Sequence, residues 1–222
     1  MRMPVFPLNV VLVPGLVLPL HIFELRYREL VEELLAQPET SGREFGIIAV
    51  RDGRSVEVDG AQALYDVGVV ASLREVEALD DGRYNIMTSG TQRFRLQQLD
   101  DSHPLLRADV ELLEDPAGPE DELLATTVRR EFDRYRTLLG ARLLITPAGP
   151  VEDLPVDPGA LAYLVTAAMV LPTDERQQLL AAPSVLERLA LARRILAREC
   201  ALIQQLASVP TTDLGQFIPS PN

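Results

Sequence analysis

Along the first 115 positions apolar residues fall in short runs bounded by proline, glycine or aspartate; beyond them they recur at three- and four-residue steps. The two spacings belong to half-buried strands and to amphipathic helices. Residues 10–13, Val-Val-Leu-Val, read as a buried strand ended by Pro14-Gly15. After Pro19 the period lengthens. Ile22, Phe23, Tyr27, Leu30, Val31 and Leu34 share a stripe, with Glu24, Arg28, Glu29, Glu32 and Glu33 between them, so the spacing predicts a helix over 22–36 that Gln37-Pro38 stops. Residues 45–50 and 66–73 read as further strands, with a turn over 51–54. Residues 76–79 and 84–88 flank Asp80-Asp81-Gly82-Arg83, where Asp-Gly supplies the positive φ that a tight hairpin needs. Ser89-Gly90-Thr91 reads as a bend, and residues 93–96 and 105–113 alternate polar with apolar.

The texture changes at 115–119, Asp-Pro-Ala-Gly-Pro. Glu120, Asp121 and Glu122 then complement a helix N-terminus, and the helix is predicted to reach Leu139 with Gly140 as its C′ residue. Asp157-Pro158 opens a helix over 160–171 that is apolar nearly all round, which suits the centre of a bundle. Thr173 caps a shorter helix through Ala182. Ser184 and Glu187 form a capping box, and Val185, Leu189, Ala192, Leu196, Ile203 and Leu206 line one stripe of the last helix. Residues 208–222 read as a mobile tail. The expectation is an α+β chain: a small β-barrel or sandwich carrying one embedded helix over 1–115, then a helical bundle over 119–207.

Charge narrows the function. The formal net charge is -12, and residues 1–115 carry 11 Arg against 20 Asp+Glu, a net of -9, while residues 116–222 carry 10 against 13, a net of -3. Nucleic-acid binding draws on cations that displace counterions from phosphates, so no nucleic-acid partner is expected. The apolar start could pass for a secretory leader, but Pro4, Pro7, Pro14 and Pro19 break it and no small-residue cleavage site follows. The longest apolar stretch elsewhere, near 161–171, is well short of the ~20 residues that span a bilayer, so no membrane partner and a cytoplasmic location are expected.

Candidate chemistry is sparse. Cys200 is the single cysteine and sits in an apolar helical stripe, which makes it a packing residue. His21 and His103 are the only histidines, and no Cys/His cluster has metal-ligand spacing, so no metal or other cofactor is expected. No G-x-S-x-G elbow is present, and the Asp80-Asp81 pair is explained by turn chemistry. All 21 of the Lys+Arg residues are arginine.

The ordered motifs Phe6-Pro7-Leu8, Pro14-Gly15, Leu18-Pro19-Leu20, Ile22-Phe23-Glu24 with Arg26-Tyr27-Arg28, Phe45-Gly46, Val67-Gly68, and Asp81-Gly82-Arg83-Tyr84 with Gly90 and Arg93-Phe94 resemble the N-terminal domain of Lon proteases. That domain is the substrate-recognition module of the family. The resemblance implies a PUA-like β-barrel followed by a helical bundle. It implies a protein- or peptide-binding role, with unfolded or apolar protein segments as partners and a separate protease as a further one. Phe23, Arg26, Tyr27, Arg83, Tyr84 and Arg93 are the candidate peptide-binding residues. The bland alternative is that the arginines pair with acidic neighbours and that the aromatics pack in the core. A Lon ATPase needs a P-loop lysine and the peptidase a Ser-Lys pair. Without lysine, a free-standing substrate-binding domain with no catalytic residue is expected. An RNA- or nucleotide-binding PUA-like domain, a small-molecule-binding domain and a hydrolase are the rival readings.

Overall fold

Gly82 adopts φ +78° inside the Asp80–Arg83 turn, and the strands on either side pair antiparallel as the Asp-Gly signal predicts. The structure is a computed structural model and describes residues 1–38, 41–51, 61–116, 118–143 and 154–207. The turn reading over 51–54, apart from Arg51, and the tail reading over 208–222 lie outside them. Among the described residues are six strands: β1 (Arg2–Leu8), β2 (Val17–Ile22), β3 (Glu44–Ala49), β4 (Val67–Ala78), β5 (Tyr84–Asp100) and β6 (Arg107–Leu113). The helices are α1 (Leu25–Leu35), α2 (Pro119–Leu143), α3 (Pro158–Ala168), α4 (Thr173–Ala181) and α5 (Val185–Ala207).

The sheet order is β2-β5-β4-β3-β1-β6, and β5 also pairs with β6. Pairing therefore returns to its start through β5, β4, β3, β1 and β6, with β2 added outside the ring. Strand β1 pairs parallel with β3 and antiparallel with β6. At 17 residues β5 is long enough to serve three neighbours, β2 and β4 at its Tyr84 end and β6 from Arg93 onward.

Several expectations are corrected. The first strand is residues 2–8; residues 10–13 are a link and not a strand, with Val10 exposed and Val11, Leu12 and Val13 buried. Residues 17–22, to which the sequence reading assigns no strand, form β2, and α1 starts only at Leu25 and not at Ile22. Proline is tolerated there because β2 is an edge strand whose one free side needs no N–H from Pro19. Ser89-Gly90-Thr91 is no bend. Gly90 lies within β5, and a Cβ there would sit 2.6 Å from the Val13 carbonyl oxygen, so the glycine serves a close chain approach. Helix α2 runs through Gly140 to Leu143. Thr173 is the first residue of α4, whose N-cap position is Pro172.

The helical half follows its local signals more closely. The Asp157 side chain accepts from the Ala160 N–H at 2.7 Å, and the Ser184 hydroxyl accepts from the Glu187 N–H at 3.2 Å. Helices α2, α3 and α5 share an apolar cluster in which Val128, Phe132, Leu161, Val165, Leu189 and Leu196 are buried. Cys200 packs in the same cluster. The β-strands enclose two further clusters: one is centred on Phe45, Ile47 and Val69 with α1, the other on Met3, Ile48 and Phe94.

Candidate functional site

Strands and helices meet at a seam held by one carboxylate. Asp115, just past β6, accepts from Arg93 Nε at 3.0 Å and Nη2 at 2.5 Å, from Arg188 Nη2 at 3.0 Å, and from the Tyr163 hydroxyl. Arg93 Nη1 donates to the carbonyls of Leu180 and Ala182, each at 2.8 Å. Arg188 Nε donates to Leu179 at 3.0 Å, and its guanidinium lies 4.4 Å from the centre of the Tyr163 ring. Strand β5, helix α3, helix α5 and the end of α4 thus converge on Asp115. Burial alone would raise the Asp115 pKa, but the Tyr163 hydroxyl with Arg188 and Arg93 outweighs it and holds the carboxyl below the usual carboxylate range. Burial pushes the Tyr163 hydroxyl well up and lowers Arg188. Arg188 Nη1 is buried without a hydrogen-bond partner, so the ring face of Tyr163 is what compensates it.

Beside this cluster the seam opens into a groove of about 380 Å³. Val13, Pro14, Gly15 and Leu16 form one wall; Ala160, Tyr163, Leu164, Ala167 and Ala168 of α3, with Pro155, form the other. Among the described residues no charged side chain lines it. Asp115 engages the Tyr163 hydroxyl, so that side chain offers the groove its ring. Leu16 and the neighbouring Val17 are exposed.

The six candidate residues separate into two groups. Arg93 is 2% exposed and belongs to the seam. Tyr27 is 4% exposed and stacks on Phe6 at a centroid distance of 3.8 Å, and burial pushes its hydroxyl up to about 12. Neither presents its side chain to solvent. Phe23, by contrast, is 62% exposed. Arg26 pairs with Glu24 at 2.7 Å over the Tyr27 ring, and Arg83 is exposed and pairs with Asp81 at 2.6 Å. Tyr84 is half-buried, its hydroxyl 3.4 Å from Glu32. The structure brings Phe23, Arg83 and Tyr84 around the Ile22 end of β2 and the start of β5, and sets Arg93 apart in the seam. Asp115, Tyr163 and Arg188 escaped the sequence reading. Asp115 sits in a Pro/Gly-rich connector and Tyr163 in an apolar helix, and no spacing rule joins positions 93, 115, 163 and 188.

A second concavity, about 470 Å³, lies on the outer face where β2, β5 and β4 run side by side. Pairing places Pro19, Met87 and Glu75 in one cross-strand row and His21, Asn85 and Glu77 in the next. His21 Nδ1 lies 2.8 Å from Asn85 Oδ1, and Asn85 Nδ2 donates to Glu77 at 2.8 Å. Among the described residues no group of His, Cys, Asp and Glu has the arrangement of a metal site, and no helix is long and apolar enough to cross a membrane.

Comparison with known proteins matches this geometry to one family. The model of the ATP-dependent protease La (LON) substrate-binding domain covers residues 2–198. Lon protease 2 of Syntrophobacter fumaroxidans is 31% identical over 213 residues, 87% of this chain and 26% of that protein. Lon protease of Escherichia coli K12 is 29% identical, over 91% of this chain and 25% of its own length. The chain spans about a quarter of the length of the curated relatives it matches. The crystal structure of a Lon N-terminal domain protein from Xanthomonas campestris superposes with a TM-score of 0.60 at 25% identity, covering 89% of this chain and 98% of that one. The N-terminal domain of Mycobacterium avium complex Lon protease superposes with a TM-score of 0.64 at 22% identity, covering 90% and 98%, a likeness of fold. The motifs from Phe6-Pro7-Leu8 to Arg93-Phe94 fall within the matched span, and the chain belongs to the LON substrate-binding domain family.

Proposed function

We propose that these residues form a non-catalytic recognition module that holds exposed apolar segments of other proteins in the cytoplasm and links them to proteolysis by a Lon-type enzyme. The observation that carries the reading is the seam groove. Its described lining is uncharged, and it is open to solvent and bounded by the exposed Leu16. A polypeptide side chain buried there gains about 25 cal/mol per Å² of apolar surface and meets no unpaired charge. The division of labour is a PUA-like β-barrel over 1–115 and a helical bundle over 119–207, with the groove between them. Phe23, Arg83 and Tyr84 extend the contact surface, while Arg26 holds the entry to α1. The 222 residues contain no lysine, so they supply neither a P-loop lysine nor a Ser-Lys dyad.

The test is titration of a permanently unfolded client, such as a reduced and carboxymethylated model protein, against the wild-type chain and Leu16→Asp. Leu16 is exposed, so the substitution leaves the core intact. Binding in the micromolar range and a loss of about tenfold in the variant are expected. No binding up to about 100 μM, or equal binding by the variant, refutes the reading.

A further inference from the structure

The outer face of β2, β5 and β4 carries a chemistry that the apolar groove lacks. Its floor is apolar: Pro19 is exposed and Met87 half-buried beside it. Its rim is acidic. Glu75 and Glu77 stand two residues apart on β4, so their side chains share one face, about 7 Å apart along the strand. Glu77 accepts from Asn85 through one oxygen, which leaves the other free to accept, and Asn85 in turn engages His21. Elsewhere on the surface Glu24, Glu33, Glu111 and Glu175 each lie within reach of an arginine. Among the described residues Glu75 has no such partner, nor do Glu29, Glu114 and Glu187; Glu75 differs in having a second carboxylate two residues along the same face of a strand. The cations nearby are committed: Arg83 chelates Asp81 and touches His21 Nε2 at 3.2 Å, and Arg74 donates to Ser89 at 2.6 Å.

We infer that this face takes an arginine or lysine side chain of an extended client polypeptide. The aliphatic stem lies over Pro19 and Met87, and the cation reaches Glu75 and the free oxygen of Glu77. Long basic side chains suit such a site because their methylenes bury while the charge stays wet. Charge complementarity selects the occupant: two carboxylates meet one cation, within a strand half that carries a net charge of -9. This inference rests on the client-binding reading and adds to it a preference for basic residues among apolar ones. Leu16, on the seam groove, and Pro19 are three residues apart, about 10 Å along the chain.

The experiment compares two labelled peptides of the same apolar sequence, one with a central arginine and one with citrulline, its uncharged isostere. Fluorescence anisotropy is read at low and high salt on the wild-type chain and on Glu75→Gln/Glu77→Gln. Both glutamates are exposed, and the amide that replaces the Glu77 carboxylate keeps an acceptor for Asn85. The arginine peptide is expected to bind the wild type about threefold to fivefold more tightly, an advantage that salt reduces. The double variant should lose that advantage and keep its affinity for the citrulline peptide. Equal binding of both peptides to the wild type overturns the basic preference and leaves client binding standing. An advantage that survives in the double variant also overturns it, by placing the cation elsewhere. Failure of both peptides to bind overturns client binding itself.

Discussion

The start and the middle of β5 carry the same ion pair in opposite surroundings. Just before the strand, Arg83 grips Asp81 in a hairpin turn open to solvent. Nine residues into it, Arg93 grips Asp115 beneath the helices, with every guanidinium nitrogen bonded. Desolvation separates them. Water competes with the first pair, so its net contribution is small. The second has been taken out of water, and its remaining donors are matched by the carbonyls of Leu180 and Ala182, so removing one partner leaves an uncompensated buried charge. The covered middle of β5 therefore fixes how strands and helices sit together, and its open end is free to meet a partner.

The sharpest way to break that contrast is at Asp115. Asp115→Asn keeps the shape and strips the charge that two buried arginines share, and it should cost about 3–5 kcal/mol in urea unfolding. A loss as small as that of a surface pair would make the two pairs equivalent. The pH dependence has a defined sign. The folded-state pKa of Asp115 is depressed, so its stabilisation is present above the unfolded value of about 3.9 and is lost as pH falls through the folded value. The wild-type urea midpoint should fall below about pH 4, and Asp115→Asn should lack that part of the fall.

A smaller effect is expected where β4 enters the sheet. A Cβ on Gly68 would collide with the Phe94 ring and sit 2.6 Å from the Ile47 carbonyl oxygen. The ring has little freedom, being fully buried beside Gly46, whose own added Cβ would lie 3.0 Å from it. Gly68→Ala should cost about 1–3 kcal/mol, read as a lowered urea midpoint. The same change at exposed Gly15 meets no atom within 4 Å and bears only the strain of its φ of +82°. Smaller again is Asp157→Ala, which removes the N-cap bond to Ala160 and should cost about 1 kcal/mol.

These positions also mark how far the sequence could be read. Asp157, Ser184 and the Asp-Gly turn were legible because each acts within three residues of itself. Strand β2 was misread because Pro19 is forbidden in a central strand and tolerated only at an edge, and nothing local says which strand is an edge. Gly90 signals a bend by type, yet its cause is the Val13 carbonyl, some 77 positions away. Phe23 falls on the helical stripe by spacing, but the helix starts two residues later and leaves it exposed. Arg93 was picked out by motif alone. Its burial depends on Asp115, Leu180 and Ala182, which only the folded chain brings together.

The mildest test probes the open end. Arg83 is exposed, so Arg83→Ala removes a contact that water replaces, and the thermal midpoint should not move measurably. The substitution still changes the outer face, because Arg83 Nη1 touches His21 Nε2 and so stands beside the Asn85–Glu77 row. Removing it makes the face more negative without touching Glu75 or Glu77. Both peptides lose whatever Arg83 adds to the contact surface, but the advantage of the arginine peptide over the citrulline peptide should therefore hold or grow slightly. A smaller advantage would mean that Arg83 supports the basic side chain itself. A lowered midpoint would mean that the exposed pair stabilises the hairpin as the buried pair stabilises the seam, and burial would no longer separate the two pairs.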